Sequence, residues 1–198
     1  GELMSHVYDV TYGVVNNDID TLVLMDDSIV RGTTLKQSVL NILSRLFPKK
    51  IIIVSSAPQI RYPDCYGIDM SVMKSFVAFR AVIGMLEDSG QEELIEEVYQ
   101  KSKAQENFPK EKVVNYVKEL YNAFTAEQIS QRIAQIVKPA NITFDFEILF
   151  QSIEGLHAAC SGNIGDWYFS GNYPTPGGNK VVNKAFINFM EKSSERAY

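Results

Sequence analysis

Leu22-Val23-Leu24-Met25-Asp26-Asp27-Ser28-Ile29-Val30-Arg31-Gly32-Thr33-Thr34 is the stretch on which the fold turns. Its first four residues form an unbroken apolar run, the mark of a strand covered on both faces. The run ends in two adjacent acids. Beyond the linker, Leu35, Val39, Leu40, Leu43 and Leu46 recur at helical spacing until Pro48. Ile51-Ile52-Ile53-Val54 then repeats the apolar run. Strand, helix and strand with short joints make a βαβ unit, which implies a parallel sheet. The expected fold class is α/β.

Upstream, residues 6–15 alternate loosely and read as a strand or an extended loop, broken by Asn16-Asn17-Asp18. Downstream, Ser55 to Asp69 carries Pro58, Pro63 and Gly67 and reads as a folded loop. Helices are expected over 72–88, with Gly90 in the C-cap position, and over 91–104, broken by Pro109. Val113, Val114, Val117, Leu120, Tyr121 and Phe124 show the cleanest amphipathic period in the chain, a core or oligomer-contact stripe. Thr125-Ala126-Glu127-Gln128 is a capping box opening a helix through Val137. A strand over 142–150, a short helix over 153–159, coil over 160–179 and a last helix over 181–191 complete the pattern. The expected organisation is an α/β core at 1–70, an appended helical section at 71–138, and a strand, coil and terminal helix at 139–198 that pack on the core.

Composition narrows the function classes. The 198 residues carry a formal net charge of −5, 45% hydrophobic residues and two cysteines. This is enough chain for a true core. The acidic excess argues against nucleic-acid binding through a basic face. Two cysteines make no disulfide framework, so a reducing, cytoplasmic setting is expected. No apolar run is long enough to span a membrane, and no secretory signal is visible.

The chemistry concentrates where the first apolar run ends. A buried strand delivers Asp26 and Asp27 to the carboxyl edge of a parallel sheet, where open α/β folds bind ligands. Gly32 stands where the backbone must turn tightly, and Thr33 and Thr34 stand at the mouth of the next helix. Free N–H groups and hydroxyls there make a phosphate cradle. The carboxylates would repel a phosphate, so they suit a sugar diol or a hydrated Mg²⁺. Together these features describe a pocket for a 5-phosphorylated ribose. Taken singly, Asp-Asp is an ordinary turn and Thr33 an ordinary N-cap; the full arrangement carries the reading. No Lys follows Gly32, so this is not a Walker A loop.

Residues 22–34 resemble the phosphoribosyl-pyrophosphate loop of type I phosphoribosyltransferases. The form Asp26-Asp27-Ser28-Ile29-Val30-Arg31-Gly32-Thr33-Thr34 is similar to that of the amidophosphoribosyltransferases, and so is the block Ser56 to Met70, SAPQIRYPDCYGIDM. The resemblance implies a partial type I phosphoribosyltransferase fold. It also implies a Mg²⁺-dependent transfer in the first step of de novo purine synthesis, in which ammonia from glutamine displaces pyrophosphate from phosphoribosyl pyrophosphate. By the same resemblance Asp26 and Asp27 hold the ribose hydroxyls and the metal, while Ser28, Ile29, Val30, Arg31, Gly32, Thr33 and Thr34 bind the 5-phosphate. These are substrate-binding residues, and no general base is required of them. The implied partners are purine nucleotides as feedback ligands, an N-terminal glutaminase domain of the same polypeptide, and further copies in a homo-oligomer. The chain begins Gly1-Glu2 rather than with the Cys of such a domain, so the 198 residues alone are expected not to turn over.

Other signals are weaker. Some amidophosphoribosyltransferases carry an iron–sulfur cluster on four Cys; only Cys65 and Cys160 are present, so no cluster is expected. His6 and His157 lack partners at metal-ligand spacing. Arg61 suits either an anion or a salt bridge to Asp64 or Asp69. Trp167, Tyr168, Phe169 and Tyr173 read as packing for a coil before base stacking. Two rival functions remain: a salvage phosphoribosyltransferase, against which the 56–70 block speaks, and a non-catalytic nucleotide sensor, which would need neither acid.

Overall fold

The computed structural model describes residues 11, 13–64, 70–162, 165–195 and 197. The expected strand or loop at 6–15 lies mostly outside them, as do Cys65 and the segment Tyr66–Asp69.

Three strands, β1 (Thr21–Asp26), β2 (Lys50–Ser55) and β3 (Asp145–Phe150), form one parallel sheet in the order β1-β2-β3. This is the α/β architecture of a partial phosphoribosyltransferase-type fold. The register aligns Leu22 with Ile51 and Phe146, and Leu24 with Ile53 and Ile148. These six residues share one face, and the core is built on it. The helices α1 (Leu40–Ser44), α2 (Val77–Asp88), α5 (Ala126–Val137) and α8 (Pro176–Met190) all contribute to that core. The expectation of strands covered on both faces needs correction for β1. Its alternate residues Val23 and Met25 are 63% and 73% exposed, because the described helices gather on the opposite face. An apolar run records where side chains can be buried, and a pleated strand buries both sets only when both faces have a cover.

The helical section at 71–138 shares one buried cluster with the sheet. Phe76, Phe79 and Leu86 of the α2 region, Ile129 and Ile133 of α5, and Ile51 and Ile53 of β2 all belong to it. α3 (Glu92–Ala104) packs beside α2 and α8. Gly90 adopts φ 68° at the end of α2, the left-handed cap its position promised.

The stripe at 113–124 departs from expectation. Only α4 (Lys118–Asn122) is helical there, although Val113, Val117, Leu120 and Tyr121 are buried as the period required. The backbone of Val114 is bonded by side chains instead of a helical ladder: its N–H donates to Gln105 Oε1 at 2.9 Å, and its carbonyl accepts from Asn183 Nδ2 at 2.8 Å. Tertiary amides outcompete a modest local helix preference. The coil expected at 160–179 also contains α7 (Trp167–Ser170) and the first turn of α8. Pro176 occupies the first turn of α8, a position where the missing N–H costs nothing. Gly178 follows because a Cβ there would lie 2.2 Å from the Tyr173 ring.

The capping box is formed in both directions. Thr125 Oγ1 accepts from Gln128 N at 3.2 Å, and Thr125 N donates to Gln128 Oε1 at 2.8 Å. Thr125→Ala is expected to lower the unfolding free energy by about 1 kcal/mol in denaturant titration. Gln128→Ala should cost less, because the Thr125 hydroxyl still satisfies its amide.

Candidate functional site

β1 ends at Asp26, and the chain then crosses the carboxyl edge of the sheet. Ser56 N and Ala57 N donate to the carbonyls of Asp26 and Asp27, both at 3.0 Å, so the loop after β2 buttresses the acids from behind. Asp26 Oδ1 accepts from Asp27 N at 3.0 Å, and Asp27 Oδ1 accepts from Ser28 N at 2.5 Å. Each carboxylate therefore spends one oxygen fixing its own turn. Among the described residues neither Oδ2 has a partner.

The linker then folds onto the helical layer. Val77 N donates to Val30 O at 2.8 Å, and Arg80 Nη2 donates to Arg31 O at 2.7 Å, so α2 holds the loop. Gly32 sits at φ 71°, and a Cβ there would lie 2.5 Å from Val137 Cγ1 of α5. Both the dihedral and the contact require glycine. Lys36 N donates back to Gly32 O at 3.0 Å, an α-type turn that leads into the π-helical segment Leu35–Val39 and then α1. The amides just before Lys36 have no acceptor one turn back, as at any helix start. Thr33 and Thr34 are exposed, and the Thr34 hydroxyl makes no capping bond.

All nine residues singled out from the sequence, Asp26 through Thr34, line one hollow of about 530 Å³ together with Leu35 and Met70. The two acids and the helix-start residues thus border a shared space. Local sequence did not identify Met70. Nor did it identify Val77, Arg80 and Val137, which clamp the loop from helices far along the chain. Only the topology brings them here.

The free Oδ2 atoms of Asp26 and Asp27 are hard oxygen donors on adjacent residues. Such a pair fits Mg²⁺, which keeps several waters and takes one or two carboxylates. No group of three or more His, Cys, Asp or Glu suited to a metal occurs among the described residues.

The remaining candidates have other roles. His157 Nε2 lies 3.1 Å from Asp166 Oδ2, and Cys160 is exposed just after α6 (Ile153–Ala159). Cys160 stands at the C-cap of that surface helix. Arg61 forms no ion pair with Asp64; its Nε and Nη2 donate to Gln59 Oε1 at 3.1 and 2.8 Å. The aromatic coil packs against the 58–64 loop. Tyr168 O accepts from Arg61 N and Tyr62 N, and Tyr173 Oη donates to Pro63 O. No described helix is long and apolar enough to cross a membrane.

A parallel sheet that presents paired acids, a left-handed glycine and a helix start at its carboxyl edge defines an α/β protein of partial phosphoribosyltransferase type. No family model matches the chain. A segment of it is related to the amidophosphoribosyltransferases: it is 47% identical over 58 residues to "Amidophosphoribosyltransferase" of Pasteurella multocida, 44% over 57 residues to that of Escherichia coli, and 41% over 58 residues to that of Saccharomyces cerevisiae. Each match spans 29% of this chain and 11% of the relative.

Proposed function

We propose that this chain supplies the ribose-5-phosphate grip of an amidophosphoribosyltransferase, which makes 5-phosphoribosylamine from phosphoribosyl pyrophosphate and glutamine-derived ammonia. One observation carries the reading: the paired acids Asp26 and Asp27 and the helix-start residues Gly32, Thr33 and Thr34 line the same 530 Å³ hollow. In this reading Asp26 and Asp27 accept from the 2′- and 3′-hydroxyls of the ribose. The amides and hydroxyls from Ser28 to Thr34 hold the 5-phosphate, aided by the start of the helix. Asp26 and Asp27 would also hold a Mg²⁺ ion, which would supply charge neutralisation for the departing pyrophosphate. The chain's own residues act by position. They fix the sugar so that its C1 is open to in-line attack, and no proton transfer is asked of them.

In this reading the chain binds the sugar phosphate without turning over, and Arg31 is the cationic side chain on the described wall of the hollow. The glutaminase partner domain, the homo-oligomer and the purine-nucleotide feedback belong to the same proposal.

Thermal unfolding with added ligands tests it. Phosphoribosyl pyrophosphate with Mg²⁺ should raise the melting temperature, while either alone should do much less. A response confined to purine monophosphates would replace the enzyme reading with the nucleotide sensor. Steady pyrophosphate release from the chain with ammonia supplied would refute the expected inactivity while supporting the binding site.

A further inference from the structure

A second and larger cavity, about 890 Å³, lies apart from the acidic hollow. It runs along β3, the edge strand of the sheet among the described residues, with α5 on one side and the loop carrying Gln59 and Arg61 at one end. Its volume falls within the range of small-molecule sites. Phe124, Phe146, Phe150 and Phe169 give it aromatic walls, and Gln131 and Gln135 of α5 add neutral amides.

Arg61 is the unusual group in this wall. It is half-buried, and no carboxylate among the described residues comes within ion-pair distance of it. It is nonetheless held firmly. Gln59, 4% exposed, donates from Nε2 to Ala126 O at 2.7 Å and to Ser130 Oγ at 2.8 Å, and its Oε1 receives Nε and Nη2 of Arg61. The guanidinium also lies over the Tyr121 ring, 5.4 Å from its centroid, and Tyr121 Oη donates to Arg61 O at 2.7 Å. One edge of the fork is therefore spent on Gln59. The Nη1/Nη2 end has no other acceptor among the described residues, and that end offers the two parallel N–H groups a carboxylate accepts. The other charges on the wall do not compete. Lys138 Nζ donates to Phe144 O at 2.9 Å, Glu147 is paired with Lys50 at 2.6 Å, and Glu127 and Glu154 are exposed to water.

We propose that this cavity binds a small aromatic carboxylate, its charge taken end-on by Arg61 and its ring laid against the phenylalanine wall. The end of a single guanidinium offers two parallel N–H groups, the number one carboxylate accepts. The proposal is independent of the reading of the Asp26–Thr34 hollow.

Benzoate is the probe, titrated into ¹⁵N-labelled protein and followed through the Arg61 Nε–H signal and the amides of α5. Benzamide supplies the ring without the charge, and inorganic phosphate the charge without the ring. Saturable benzoate shifts are expected at Arg61 and along α5, with benzamide at least tenfold weaker and phosphate giving no saturable shift at Arg61 or along α5. Arg61→Lys keeps the charge but loses the fork and should weaken benzoate at least tenfold. Gln131→Glu, an exposed change on α5 that leaves the Gln59–Arg61 contact intact, should weaken it severalfold through repulsion and keeps the test open if the first variant fails to fold. Absence of saturable shifts in the wild-type protein, equal binding of benzamide, or unchanged affinity in the folded variants would overturn the proposal.

Discussion

Gly32→Ala is expected to lower the unfolding free energy by about 2–4 kcal/mol and the melting temperature by roughly 5–15 °C. Two separate costs add. Alanine at φ 71° pays the left-handed penalty of roughly 1–2 kcal/mol, and its methyl would meet Val137 Cγ1 at 2.5 Å. Something must move, and what moves is the loop that lines the hollow. Ligand response should therefore fall with stability. The two costs can be parted by a double-mutant cycle. Val137→Ala removes the obstructing methyls, so Gly32→Ala should cost less in that background, and the remainder measures the dihedral alone. If the penalty is the same in both backgrounds, the contact with α5 does not constrain the loop. A penalty under 0.5 kcal/mol in the wild-type background, roughly the size of an ordinary surface change, would remove the case for a left-handed turn as well.

This position also shows what a sequence discloses and what it withholds. The turn at Gly32 was legible, because an apolar run, paired acids, a glycine and two threonines name a strand, a loop and a helix start in order. The βαβ unit followed from two apolar runs flanking a helical period. The reason for glycine was only half legible, since Val137 and Val77 reach Gly32 through the tertiary fold and leave no local trace. The same limit explains the stripe around Val113. Its period correctly reported burial at Val113, Val117, Leu120 and Tyr121 but not at Val114, which is 51% exposed, and burial does not specify a helix once Gln105 and Asn183 offer the backbone other partners. It explains β1 too, where the apolar residues Val23 and Met25 could not report that the core-forming helices pack on the other face. Arg61 marks the opposite case. Sequence singled it out and left two roles open, and the geometry removed the salt bridge to Asp64 by showing Gln59 in its place.

The paired substitution Asp26→Asn/Asp27→Asn should abolish the Mg²⁺-linked response to phosphoribosyl pyrophosphate while leaving the fold intact. The argument rests on how each carboxylate divides its oxygens. Oδ1 of each accepts a backbone amide within the turn, and an asparagine carbonyl oxygen can do the same. The loop should therefore keep its shape, and melting without ligand should shift by less than about 1 kcal/mol, the scale of a neutral hydrogen bond. What asparagine cannot supply is the second anionic oxygen. An amide nitrogen would point a donor at the ribose hydroxyls and at any cation, where an acceptor is wanted. Hydrogen bonds to charged groups contribute about 1.5–3 kcal/mol each, so losing two predicts roughly a hundredfold or greater fall in affinity. Calorimetric titration with and without Mg²⁺ measures it, and the single variants apportion the loss between the two positions. Phosphate alone should bind the double variant as well as the parent or better, because the repelling charges are gone. Should phosphoribosyl pyrophosphate bind the double variant with its Mg²⁺ dependence preserved, the acids play no part in gripping the sugar, and the hollow must be assigned to a different ligand.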